Sequence, residues 1–132
     1  MQITIAPASM KTSTAAIRSL LSQDKSMKIK ALYRDLKKVP AEFNSTDNFT
    51  AVQGDVCDAA TLDLSGSDAV LACLPPAYDG RDIIAHAQTV SSNIRDAIDK
   101  ASGVKRLVLL SSVGAEFAEG VVGILCQVVL HG

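Results

Sequence analysis

Residues Ile3–Leu21, ITIAPASMKTSTAAIRSLL, decide the fold of this chain. They predict a short apolar strand that contains Ile3 and Ile5, then a tight turn of small residues, then a helix. The apolar face of that helix consists of Ala15, Ala16, Ile17, Leu20 and Leu21. This order is typical of the opening of a dinucleotide-binding unit, in which a phosphate lies against the free backbone N–H groups of the helix N-terminus. The turn departs from that pattern because it contains no glycine.

The composition is that of one ordinary globular domain. The chain has 132 residues, of which 48% are apolar and 20% are charged, enough for one core and too few for two domains. No apolar run approaches the roughly 20 residues that span a bilayer, and no signal-peptide pattern is present. We therefore expect a cytoplasmic protein without a membrane partner. Three cysteines, Cys57, Cys73 and Cys126, have no metal-ligand spacing, which favours free thiols over a disulfide or a zinc site.

The charge is distributed unevenly along the chain. The first 38 residues carry eight basic and two acidic side chains, whereas the remainder carries five basic and twelve acidic ones. A basic first third suits a site for a phosphorylated small molecule, although solvated helix and loop faces would account for most of these lysines. No basic stripe is interleaved with aromatic residues, so we expect no nucleic-acid partner.

Strands and helices alternate along the rest of the chain. Further strands are predicted at Lys28–Tyr33, Phe49–Val52, Ser67–Leu74 and Val104–Leu110. A long amphipathic helix is predicted over 82–101, with Gly103 as its C-terminal cap. The segment around Pro40 and Asn44–Asn48 predicts a loop without periodicity, and Asp58 is placed to cap a helical turn or two. This alternation predicts an α/β fold, a Rossmann-type doubly wound parallel sheet of about five strands in the order 3-2-1-4-5.

Four segments carry a family resemblance: ALYRD (31–35), VQGDVCD (52–58), SDAVLACLPP (67–76) and GVKRLVLLSSVGAE (103–116). In this order and spacing they resemble the NmrA-like branch of the atypical short-chain dehydrogenase/reductase superfamily. Members bind NADP(H) or NAD(H) and reduce quinones, imines or carbonyls, or act as redox-sensing regulators. The resemblance implies an NAD(P)H-dependent reductase of a small organic substrate. A non-catalytic nucleotide-sensing module and a cofactor-free cyclase or isomerase of secondary metabolism are the alternatives.

The resemblance also implies a GxxGxxG motif on the first turn. Laid without gaps, its three glycine positions fall on Pro7, Met10 and Ser13; shifted by one, they fall on Ala6, Ser9 and Thr12. The family's glycines let the backbone approach the pyrophosphate and let the helix pack closely on the strand. In the first register, Met10 would place a flexible side chain where the pyrophosphate lies. In the second, Ser9, Lys11 and Thr12 would partly replace the lost contacts.

Further cofactor contacts are implied on the loops after the second, third and fourth strands. Arg34 occupies the family's position for the 2′-phosphate, with the acidic residue displaced to Asp35, which favours NADP(H) over NAD(H); the alternative is a surface arginine. Asp55 resembles the aspartate near the adenine, or is a turn aspartate that bonds its own backbone. Leu74 and Pro75 resemble the loop along the nicotinamide-side ribose, or are a proline stop after a strand.

The residues for chemistry are fewer. Ser111 and Ser112 occupy the position of the superfamily's catalytic serine, but the chain has no Tyr-x-x-x-Lys pair. Tyr78 could replace the missing proton donor, or it is only a packing anchor. We see no nucleophile–base pair and no metal-ligand spacing, so we expect no metal.

The resemblance fades after Glu116. Family members continue into strands and helices that form the substrate pocket, whereas residues 117–132 form a divergent apolar tail. We therefore expect a single domain over residues 1–132 that is truncated before its substrate domain. Residues 121–130 of the tail would either fill the edge of the sheet as a strand or dock as a helix; failing both, the exposed apolar surface would favour a homo-oligomer.

Overall fold

The computed structural model of the protein describes residues 1–73 and 83–109, the side chains of residues 83 and 84 excepted. Its five strands are β1 (Gln2–Ala6), β2 (Lys28–Tyr33), β3 (Phe49–Gln53), β4 (Ala69–Ala72) and β5 (Arg106–Leu109). They form one parallel sheet in the order β3-β2-β1-β4-β5. The fold class, the strand order and the parallel direction predicted from the sequence are confirmed.

The helices are α1 (Lys11–Gln23), α2 (Ala41–Asn44) and α3 (Ile83–Ala101), with short 3-10 turns at Leu36–Lys38 and Ala59–Thr61. Asp58 caps the second 3-10 turn as predicted, since its carboxylate accepts a hydrogen bond from the backbone N–H of Ala60. Helix α2 lies within the segment predicted as a loop. Its Phe43 is buried and packs against Phe49, with ring centroids 5.1 Å apart. One aromatic anchor thus orders a segment that has no periodicity for sequence analysis to detect. None of the helices in the described residues is long and apolar enough to cross a membrane.

Strands β4 and β5 begin two residues later than the sequence predicts, because Asp68 ties three strands together before β4 begins. Its carboxylate accepts a hydrogen bond from the backbone N–H of Gln2 at 2.9 Å, and its N–H donates to the Gln2 carbonyl. Its own carbonyl accepts from the N–H groups of Lys105 and Arg106. The amino ends of β1, β4 and β5 therefore meet at one aspartate.

Apolar packing buries both faces of the sheet at the central strands β1, β2 and β4, whereas most of β5 is exposed. On one face, Ile17 of α1 and Phe43 of α2 pack with the side chains of Ile5, Ala8, Ile29, Ala31 and Tyr33. On the other face, Val90, Ile94 and Ala97 of α3 pack with those of Ala6, Leu32, Val56, Leu64, Val70 and Ala72. Burial on both faces explains why the strands are apolar without strict alternation.

The cap predicted after α3 is displaced by one residue. Ser102 adopts the left-handed conformation, with φ 54°, and the N–H of Gly103 donates to the carbonyl of Ala101 at 2.6 Å. Gly103 lies just beyond the helix, where the sequence predicts the C-terminal cap, but the left-handed residue is Ser102. The helix ends at Ala101, so the next residue in sequence must make the turn.

Candidate functional site

The turn between β1 and α1 is held against the end of β2. The backbone N–H of Ala8 donates to the carbonyl of Leu32 at 2.9 Å, and the Ala8 side chain is fully buried. Ser9 is exposed on the outer side of the turn. The turn therefore lies at the carboxyl edge of the sheet, where ligands of doubly wound folds bind.

Ser13 indicates how the glycine motif lies on this turn. It is fully buried in the first turn of α1, and its hydroxyl donates to the carbonyl of Pro7 at 2.7 Å and contacts Cys73 Sγ at 3.7 Å. The third glycine of the motif marks the place where helix and strand pack closely. Ser13 occupies that place, whereas Thr12, which takes it in the alternative register, is exposed. The burial of Ser13 favours the register Pro7, Met10 and Ser13, and the register stays a prediction.

The N-terminus of α1 is open to an anion. Met10 is the N-cap residue, partly buried, and its side chain caps no backbone group. No described residue accepts a hydrogen bond from the backbone N–H groups of Lys11, Thr12 or Ser13. The first turn contains no acidic side chain, and Lys11 is exposed there. Unpaired N–H groups and a positive side chain together attract a phosphate.

A second positive group follows β2. Arg34 is exposed, and its guanidinium forms no ion pair with any residue that the structure describes. The neighbouring Asp35 is engaged, because its carboxylate accepts a hydrogen bond from the N–H of Lys37 at 2.9 Å and caps the 3-10 turn. Lys37 and Lys38 add two exposed positive charges. The strand end therefore carries an excess of positive charge at the place where the sequence predicts a 2′-phosphate contact.

The turn after β3 is tight. The N–H of Gly54 donates to the carbonyl of Tyr33 at 2.9 Å, and a Cβ on Gly54 would lie 2.9 Å from Leu32 Cδ2 and 3.2 Å from the carbonyl of Thr61. Only glycine fits without displacement. Asp55 accepts a hydrogen bond from the N–H of Cys57 at 2.9 Å. It thus bonds its own backbone, the second of its two predicted roles, and its contact with an adenine stays a prediction.

Several predicted site residues lie outside the described residues: Leu74, Pro75, Tyr78, Ser111 and Ser112. The structure brings together the turn after β1, Arg34 after β2, Asp55 after β3 and Cys73 after β4, all at the carboxyl edge. Sequence reasoning missed the hydrogen bond from Ser13 to Pro7; the available signal was a hydroxyl residue at the third glycine position. Within the described residues, no group of three or more His, Cys, Asp or Glu side chains could hold a metal ion.

Comparison with known families identifies the family of the chain. The family of NAD(P)H-binding domains matches residues 8–124, which include the first turn, Arg34 and Asp55. The chain belongs to this family. The match confirms the resemblance to NAD(P)-dependent oxidoreductases of the NmrA-like, short-chain dehydrogenase/reductase type. No curated protein sequence matches the chain significantly.

Solved structures share the fold over part of their length. The oxidoreductase ylbE of Lactococcus lactis is 25% identical, with a TM-score of 0.66 over 96% of this chain and 56% of its own. The triphenylmethane reductase of a Citrobacter species, complexed with NADP(H), is 23% identical, with a TM-score of 0.71 over 98% of this chain and 43% of its own. A short-chain dehydrogenase/reductase of Veillonella parvula in complex with NADP is 19% identical, with a TM-score of 0.66 over 86% and 48%. This NAD(P)H-binding domain spans about half the length of each of these proteins.

Proposed function

We propose that this domain binds NADP(H) in preference to NAD(H), and that it is the cofactor domain of a reductase of a quinone, imine or carbonyl compound. The observation that carries the proposal is Arg34, exposed directly after β2 and without an ion pair among the described residues. NAD-selective sites place a carboxylate here to hold the ribose hydroxyls. In this chain the neighbouring carboxylate of Asp35 caps a turn instead.

The residues of the first turn fit the pyrophosphate of a dinucleotide. The N–H groups of Lys11, Thr12 and Ser13 have no acceptor among the described residues, and the Lys11 side chain adds a positive charge. The small Ser13 lets α1 approach β1 closely although the glycine is absent. Met10 opposes binding most directly, since its side chain is larger than the motif allows at the glycine position next to the pyrophosphate.

The chain's own contribution is to bind and orient the nucleotide. A bound nicotinamide would supply the hydride for reduction. Arg34 would hold the adenosine end, the N-terminus of α1 the pyrophosphate, and Leu74 and Pro75 the nicotinamide-side ribose. The proton donor stays a prediction from the resemblance, at Tyr78, Ser111 or Ser112.

Nicotinamide fluorescence tests the proposal directly, because the chain contains no tryptophan to add background. NADPH and NADH are titrated into the native protein, the Arg34→Ala variant, and a Lys100→Ala control on the exposed face of α3. We expect Arg34→Ala to weaken NADPH binding by about 10- to 100-fold, the range for a charge-assisted contact, and to change NADH binding little. Equal losses for both nucleotides would remove Arg34 from the 2′-phosphate site. Binding of neither nucleotide would contradict the proposal.

Turnover separates the reductase from its alternatives. Consumption of NADPH with a panel of quinones, imines and carbonyls supports the reductase, whereas stoichiometric binding without consumption favours a nucleotide-sensing module. Met10 at the N-cap is the observation that favours a cofactor-free cyclase or isomerase, because that chemistry does not require the pyrophosphate position. That alternative predicts no nucleotide binding at all.

A further inference from the structure

A groove of about 690 Å³ lies at the amino edge of the sheet, opposite the candidate cofactor site. It is lined by residues of β1, β2 and β3, by the loops before β2 and β3, and by Ser65 from the connection to β4. Its polar side chains include Gln2, Lys25, Lys28, Lys30, Asp47 and Thr50. Neither Arg34 nor the N-terminus of α1 lines it. The groove is therefore separate from the edge that the dinucleotide would occupy.

The groove is open because the connection from β3 to β4 carries no α-helix. Residues 54–68 contain only the 3-10 turn Ala59–Thr61. Side chains alternate along a strand, so Lys28 and Lys30 share the face of β2 on which Leu32 packs under α3. The α3 core covers Leu32 at the carboxyl end of that face, whereas Lys28 at the amino end is exposed.

Lys30 supplies the main electrostatic observation. Its side chain is only 13% exposed, and its nearest carboxylate, that of Asp63, lies 3.9 Å away on a side chain that is 66% exposed. The Asp63 carboxylate also accepts a hydrogen bond from the N–H of Ser65. The Lys30 side chain therefore lies mostly along the surface of the sheet, and a single exposed carboxylate at 3.9 Å is a weak partner for its charge.

Groups next to the Lys30 ammonium make the groove suitable for a ligand with more than one anionic group. Lys28 lies two residues along the same face, at a backbone separation of about 7 Å. Lys30 is in register with Thr50 of β3 and Lys28 with Gln2 of β1, so each ammonium group has a neutral hydrogen-bonding side chain beside it. The lining contains three lysines and one aspartate. Adjacent ammonium groups suit phosphate or carboxylate groups that lie side by side.

We propose that this groove binds a small molecule that carries two or more adjacent anionic groups, phosphate or carboxylate, independently of the dinucleotide. The cofactor edge uses Lys11 and Arg34 of the basic first third of the chain. Lys25, Lys28 and Lys30 of the same third have no role there. All three of these lysines line the groove, where they would bind the anionic groups.

Nuclear magnetic resonance on the full chain locates the site without reference to the cofactor. Inorganic pyrophosphate and citrate are titrated separately, and the backbone amide signals are followed. We expect saturable shifts at Gln2, Lys30 and Thr50, and smaller ones at Lys11 and Arg34. Saturation by either anion at the groove supports the proposal and identifies phosphate or carboxylate as the preferred group. Shifts confined to Lys11 and Arg34, or no saturable shift with either anion, would overturn it.

Matched variants test which lysines bind. Lys28→Ala and Lys30→Gln should each weaken binding of the saturating anion at least about fivefold, while Arg34→Ala and Lys100→Ala should change it less than about twofold. Far-ultraviolet circular dichroism establishes that each variant is folded. If Lys30→Gln does not fold, Lys28→Ala alone decides. Binding that survives Lys28→Ala unchanged, or that Arg34→Ala abolishes, would overturn the proposal, and neither result bears on NADPH preference.

Discussion

Two turns at the carboxyl edge of the sheet attach to the same strand end but differ in their need for glycine. Both are attached to the end of β2, the first through Ala8 N–H to the Leu32 carbonyl and the second through Gly54 N–H to the Tyr33 carbonyl. The turn after β1 contains no glycine at the three positions where the resemblance implies one, whereas at Gly54 in the turn after β3 a Cβ would displace its neighbours.

The difference is explained by what surrounds each position. At residue 13, the serine hydroxyl donates a hydrogen bond to the Pro7 carbonyl and lies beside Cys73. These two neighbours leave space for a hydroxyl. At Gly54 the same space is filled by the buried Leu32 side chain and by a backbone carbonyl. A glycine is thus replaceable where its neighbours can accept a small polar group, and irreplaceable where they are packed backbone and core.

The largest effect should come from Gly54→Ala. The new Cβ would lie 2.9 Å from Leu32 Cδ2 and 3.2 Å from the Thr61 carbonyl, and Leu32 is only 1% exposed, so it has no free space to move into. We expect the free energy of unfolding to fall by about 1–3 kcal/mol, as for overpacked cores. Urea denaturation followed by circular dichroism measures it.

Gly103→Ala is the matched control for that substitution. Its Cβ would meet only ordinary contacts, at 3.8 Å from the Ala101 carbonyl and 3.9 Å from the Ser67 carbonyl. We expect a change within about 0.5 kcal/mol. Equal losses at the two glycines would mean that the close contacts at Gly54 do not decide its effect, because reduced freedom of the unfolded chain stabilises the fold.

Ser13→Ala should have the next largest effect. It removes the donor to the Pro7 carbonyl while leaving the volume almost unchanged, so we expect a loss of about 1 kcal/mol in the free energy of unfolding. Thr12→Ala, one residue earlier and exposed, gains the helix propensity of alanine without losing a bond to any described residue. If the two variants unfold at the same urea concentration, Ser13 does not hold the turn.

The comparison also shows how far the sequence can be interpreted. The alternation of strands and helices, the burial of the fourth strand and the Asp58 cap follow from periodicity and local chemistry, which depend on neighbours in sequence. The register of the glycine motif depends on whether residue 12 or 13 is buried, and only the approach of α1 to Pro7 and Cys73 decides that. Helix α2 likewise depends on contacts outside the helix, since Phe43 is buried in the core and packs against Phe49.

A smaller effect is expected from Met10→Gly, and it is on nucleotide binding. If Met10 occupies the second glycine position, removing its side chain opens the path to the pyrophosphate, so NADPH affinity should rise about threefold in the fluorescence titration. Ser9→Gly, which restores the same glycine in the other register, should leave the affinity unchanged. A gain from Ser9→Gly and none from Met10→Gly would reverse the register that Ser13 indicates.

The smallest effect concerns Tyr33, whose carbonyl holds Gly54 and whose hydroxyl has no hydrogen-bond partner among the described residues. An unpaired buried hydroxyl is unfavourable, so Tyr33→Phe should raise the free energy of unfolding by about 0.5 kcal/mol at neutral pH, by urea denaturation. Burial also raises the pKa of Tyr33 above its ordinary value of 10.0.

The unfolded chain therefore releases the Tyr33 proton near pH 10.0, while the folded chain retains it to higher pH. Stability is then lost as the pH rises through this range, because the unfolded state binds fewer protons. Tyr33→Phe lacks that loss, so its advantage should widen between neutral pH and about pH 11. If the free energies of unfolding of the two proteins change in parallel with pH, Tyr33 ionises as easily in the folded chain as in the unfolded one. The end of β2, where both turns attach, would then be open to solvent.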